Sequence, residues 1–163
     1  MIFIIESLVV CAVFTVVVTS SVNKNVLDWI SDYPPAIQKR AKELGLIAAD
    51  KKFMTGKELT RKVLGTVVII VLSVFMMVYI NGAETFMQGF LWSYGLYNVV
   101  AWYDAIVIDC LWFAHSKKVI LPGTEDMIDS YHDYAFHFKM SFIGILIGLP
   151  VCMIIGLGVM ILA

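Results

Sequence analysis

Residues 93–115 read SYGLYNVVAWYDAIVIDCLWFAH. The run is apolar and aromatic enough to cross a bilayer, yet it carries Asn98, Asp104 and Asp109 and ends on His115. Ionisable groups within a membrane span are costly, so they are read first as a functional site. Beyond the run come Lys117, Lys118 and the turn Pro122-Gly123-Thr124-Glu125. Then follows Tyr131-His132-Asp133-Tyr134-Ala135-Phe136-His137-Phe138, just ahead of another apolar run. A span carrying acids, a short polar return and a second span together fix the fold class as an all-α membrane protein.

The composition agrees. Of 163 residues, 60% are hydrophobic and 15% charged, with a mean hydropathy of +0.85. A soluble domain has roughly 45–50% apolar and about 25% charged residues. Four segments, 3–22, 63–80, 86–114 and 140–161, approach the ~20 helical residues needed to cross about 30 Å of hydrocarbon. The expected architecture is a single transmembrane domain over 1–163, an integral membrane four-helix bundle with a long third helix. The first segment contains Glu6 and has its basic residues after it instead of before, so it is expected to be an uncleaved helix.

Orientation follows from the cations. Nine of the twelve Lys and Arg residues fall in 23–62 and the other three in 115–139. The positive-inside rule makes both connections cytoplasmic and puts both termini outside. Glu6 and Glu84 then have no basic side chain on their side. Glu84 is expected to be solvated in its turn. Glu6 is expected to pair with the terminal amine, to bond to Tyr79 or Asn81, or to be protonated.

The 23–62 connection carries its own helix. Pro34-Pro35 suits a first turn, Ile37, Ala41 and Leu44 recur at helical spacing, and Gly45 is the expected stop. This short basic amphipathic helix is expected to lie along the inner leaflet. Thr55-Gly56-Lys57-Glu58 reads as a capping box for the next span, and Phe53 suits the membrane interface.

At 100° per residue, Asn98 and Asp109 share one face of the third helix, while Asp104 and His115 share another. Thr124 or Ser130 is expected to cap the return helix. Asp133 and His137, four apart, are neighbours on the fourth. Their face continues into Gly144, Gly148, Cys152 and Gly156, a repeat of small residues at the spacing that lets helix backbones approach closely. Gly158 lies off that stripe. Pro150 is expected to bend the helix.

Val119-Ile120-Leu121-Pro122-Gly123-Thr124-Glu125 and Asp133-Tyr134-Ala135-Phe136-His137-Phe138-Lys139 together resemble a group of small, uncharacterised multi-pass bacterial membrane proteins. These have a similar Pro-Gly-Thr-Glu turn and Asp-Tyr-x-Phe-His-Phe segment before the last helix. The resemblance covers residues 97–144. It implies a bacterial cytoplasmic membrane location and transfers no catalytic residue.

Asp109, Asp133 and His137 are the expected meeting point of the third and fourth helices. They are a candidate set for a proton or, as mixed His/carboxylate ligands, a divalent metal. Asn98, Asp104, His115, Glu125 and His132 form the wider polar cluster. The chain has no Gly-rich phosphate loop, GxSxG elbow or HExxH. Cys11, Cys110 and Cys152 lie singly in apolar runs, as buried thiols do. Three classes fit: an accessory or structural membrane subunit, an inner-leaflet enzyme acting on lipid or isoprenoid head groups, or an oligomeric ion- or proton-coupled carrier. Membrane lipids and a second copy or membrane-protein partner are expected, and nucleic acid is not.

Overall fold

The structure is a computed structural model and describes residues 1–47 and 56–163. The expected cap at Thr55 and the interfacial Phe53 lie outside the described residues. Those that are described are all-helical. Helix α1 spans Ile2–Lys24, a 3-10 segment Val26–Asp32, α2 Pro35–Glu43 and α3 Gly56–Tyr79. Helix α4 spans Phe86–Tyr103 and is followed directly by a π-helix over Asp104–Phe113. A single turn, α5, covers Ile128–Tyr131, and α6 covers Tyr134–Leu162. Four stretches are long and apolar enough to cross a membrane: Ile2–Lys24, Leu59–Tyr79, Phe86–Phe113 and Ile128–Leu162.

The chain divides into two compact units. The first comprises Met1–Leu8, α3, α4 as far as Ala101, and Phe142–Ala163. Its core gathers Val74 and Met77 of α3, Ala83, and Ile155 and Val159 of α6. The small-residue stripe of α6 packs on α4. A Cβ built on Gly148 would sit 2.1 Å from Cε1 of Tyr97, and one on Gly156 would sit 2.8 Å from the Phe86 carbonyl oxygen. Cys152 meets Ser93 between them. Only residues without bulk allow such contact. Gly158, off the stripe, is also closely packed, because its Cβ would come 2.6 Å from Cγ2 of Val74 on α3. Helix α4 starts on a capping box: Thr85 Oγ1 accepts from the Gln88 N–H, and Gln88 Oε1 accepts from the N–H of Thr85.

The second unit holds the rest of α1, the 3-10 segment, α2 and Trp102–Ser141. Its core includes Val18, Val22, Ile30, Tyr33, Ile37, Ala41, Leu121 and Tyr131. Helix α2 ends as expected. Leu46 N–H donates to the Ala41 carbonyl and Gly45 N–H to that of Lys42, while Gly45 has φ +69°, the geometry of a Schellman cap. The destination of its apolar face was not as expected. Ile37 and Ala41 are completely buried inside this unit, so they do not lie along a leaflet. Tyr131 and Leu121 supply the apolar surface that a membrane would otherwise provide.

Two tyrosines fasten the loop between α4 and α6. Tyr33 Oη donates to the Val119 carbonyl at 2.7 Å, and Tyr131 Oη accepts from Leu121 N–H at 2.9 Å while pairing with Thr124 Oγ1 at 2.6 Å. Burial, then the neighbouring Tyr131 and Asp32, hold the Tyr33 phenol well above its ordinary range. Thr124 is thus a buried clasp of the turn and caps no helix. Gly123, at φ +81°, adopts a backbone conformation that glycine favours, and a Cβ there would lie 2.8 Å from Leu44 Cδ1 and push that side chain aside.

Candidate functional site

The polar residues of the second unit are positioned by the π-helix. Bonding in a π-helix runs from residue i to i+5, as in the Ala114 N–H that reaches the Asp109 carbonyl. In an α-helix, residues five apart point about 140° away from each other; the wider π turn brings them closer together in angle. The faces expected from 100° per residue therefore do not hold beyond Tyr103. Asp104 does not stand apart from the Asp109–His137 pair: it interacts electrostatically with Asp109, Asp32 and His137. Long π-helices are rare, and π turns are frequent at functional sites.

Asp109 meets His137 of α6, with 3.2 Å between Oδ2 and Nδ1. His137 is only 2% exposed. Phe113 stands edge-on to its ring at 6.1 Å and Phe136 at 5.4 Å. Its other nitrogen, Nε2, is buried and has no hydrogen-bond partner. A carboxylate at Nδ1 fixes the ring's orientation and favours a proton on that side. The lone Nε2 is then a buried proton acceptor on a ring packed against two aromatic side chains. A buried polar atom without a partner costs on the order of 1–3 kcal/mol, a penalty that a ligand at Nε2 would remove.

The other expected site residues are used elsewhere. Asp133 does not join Asp109 and His137: its Oδ1 accepts from Phe136 N–H at 3.0 Å, so it caps α6. Glu125 folds back on its own turn, both oxygens accepting from Gly123 N–H. His115 and His132 form a second pair, their rings stacked with centroids 4.9 Å apart, and His115 Nδ1 lies 3.1 Å from the Cys110 carbonyl. Asn98 belongs to the first unit, where its amide donates to the Tyr94 carbonyl one turn back. Among the described residues, no group of three His, Cys, Asp or Glu side chains is placed to hold a metal ion.

Sequence reasoning missed two features. One is the tyrosine–threonine clasp formed by Tyr33, Tyr131 and Thr124, which buries the loop ahead of His137. The other is the π-winding, for which no sequence signal stands out. No family model, curated protein or solved structure matches the chain. The functional reading rests on the residues themselves.

Proposed function

We propose that the chain is a multi-pass protein of the bacterial cytoplasmic membrane, with four spans and both termini outside. It acts as an accessory subunit of a homo-oligomer or larger membrane complex, and its Asp109–His137 pair takes up and releases a proton at the cytoplasmic boundary. The observation that carries this reading is the buried His137, held by a carboxylate at Nδ1 and left without a partner at Nε2. The cation asymmetry supports the orientation. Residues 61–69 of α3 are exposed on every side, which suits contact with lipid or a second subunit.

A proton is favoured over a divalent metal because, among the described residues, no group of three potential ligands converges, whereas a protein metal site ordinarily uses three or more. The test is proton uptake by the purified protein after an acid pulse, followed with a pH-sensitive dye in weakly buffered detergent. Wild type should take up more protons than His137→Gln, with Asp109→Asn intermediate or equal to it. Equal uptake by all three would refute the reading. A stoichiometric metal found in wild type and lost from both variants would replace the proton with that metal.

A further inference from the structure

A second polar cluster lies wholly within the first unit and is independent of the Asp109–His137 reading. Glu6, on α1, accepts two hydrogen bonds at one oxygen: Trp92 Nε1 donates to Oε2 at 2.8 Å and Asn81 Nδ2 donates to the same atom at 3.2 Å. Its second oxygen, Oε1, is buried without a partner, and so is Oδ1 of Asn81. The indole N–H is already used, and Asn81 Nδ2 also points toward Met77 Sδ at 3.7 Å. The cluster therefore contains two buried acceptors and no donor left to serve them.

An ionised carboxylate makes this imbalance worse. It accepts only, its bonded partners are a neutral indole and a neutral amide, and a buried charge is tolerated only when it is paired. Among the described residues, no cation is bonded to it. Of the ionisable groups on neighbouring parts of the unit, the Met1 residue is 97% exposed and Tyr79 is 68% exposed. Glu84 is exposed too, and Cys152 is engaged with Ser93. Lys and Arg are confined to 23–62 and 115–139.

One added atom resolves the arrangement. We infer that Glu6 is a proton-binding site: the side chain is held as the carboxylic acid, with the proton on Oε1 donated to Oδ1 of Asn81. The carboxylate takes one proton from water and no other bond is made or broken. The acid and the amide then each donate to the other, and both orphaned oxygens are satisfied by a single hydrogen. Asn81 stands in the turn between α3 and α4, beside Gly82 at φ +64°. Release of the proton leaves a charge and a bare acceptor facing the same buried space, so it requires the Asn81 turn to shift or water to enter. Proton occupancy at Glu6 is thereby tied to the conformation of that turn.

Infrared difference spectroscopy of the full chain in lipid nanodiscs at neutral pH tests this. Wild type should show a protonated-carboxyl C=O band that moves on selective carbon-13 labelling of glutamate carboxyls, which separates it from Asp104 and Asp109 without any mutation. The band should disappear in Glu6→Gln, whose amide can donate to Asn81 in place of the acid. It should shift in Asn81→Leu, which removes the acceptor. Absence of a glutamate-sensitive acid band from wild type would overturn the proposal. So would ionised-carboxylate bands that are lost in Glu6→Gln and respond to replacing sodium with a larger cation, which would mark a metal-ion site instead.

Discussion

Gly148→Ala tests how far the packing of the first unit depends on a single missing atom. The added Cβ would lie 2.1 Å from Tyr97 Cε1 and 2.5 Å from Cζ, against 3.4 Å for an ordinary contact. The ring must therefore retreat by about 1.3 Å, the difference between 3.4 and 2.1 Å. It cannot do so freely, because Tyr97 Oη donates to the Gly144 carbonyl at 2.9 Å in the same helix. Losing that bond costs about 1 kcal/mol, and overpacking adds about 1–3 kcal/mol, giving roughly 2–4 kcal/mol in all. Gly144→Ala is the internal control. Its Cβ would meet only Tyr97 Oη, at 3.9 Å, so it should be neutral or stabilise by up to about 1 kcal/mol, since alanine is the better helix former. Unfolding the purified protein in a denaturing-detergent titration measures both. Adding Tyr97→Ala to Gly148→Ala should cost less than the sum of the two single changes. Equal stability of Gly148→Ala and Gly144→Ala would refute the close packing.

The same titration should show Asp109→Ala and His137→Ala each losing roughly 1–3 kcal/mol, with the double variant less than additive; strict additivity would separate the pair energetically. Tyr33 titrates above its ordinary value of 10.0 in the fold, so the unfolded chain loses its phenolic proton first. Its contribution is therefore intact below about pH 10 and falls as the pH climbs beyond that. Tyr33→Phe should flatten this alkaline loss while costing about 1 kcal/mol at neutral pH for the hydrogen bond to Val119; an unchanged alkaline profile would count against the buried phenol. For topology, a cysteine at position 125 should react with an impermeant thiol reagent only after the membrane is opened, and labelling of intact cells would reverse the proposed orientation.

The long helices were legible because hydropathy and length leave a 20-residue apolar run few alternatives. The stop at Gly45 and the small-residue stripe on α6 were legible for a similar reason, since glycine marks both positive φ and close approach. Other expectations failed, some where a neighbour decided the outcome. The apolar face of α2 reads equally well as membrane-facing or core-facing, and Leu121 and Tyr131 decided for the core. Gly158 was read only as lying off the stripe, but Val74 packs closely on it from another face of α6. Asp133 is four residues before His137 and so seemed its partner, but a residue at a helix start is also the preferred N-cap. The sorting of Asp104 from Asp109 failed because it assumed 3.6 residues per turn through a segment wound more widely. Asn81 was one of several partners the sequence offered Glu6, and the two orphaned oxygens depend on how α1 meets the Asn81 turn.

The π-wound segment makes helix register a variable with electrical content. In its present form it holds two aspartates, Asp104 and Asp109, within electrostatic reach of each other, with the His137 imidazole as the nearby group able to carry compensating positive charge. Tightening the same residues to α-winding would swing those carboxylates about 140° apart around the axis and carry Asp109 away from the ring. Like charges favour the tight winding and a protonated imidazole favours the wide one. A single proton on His137 would thus be read out as rotation of the helix beyond Tyr103.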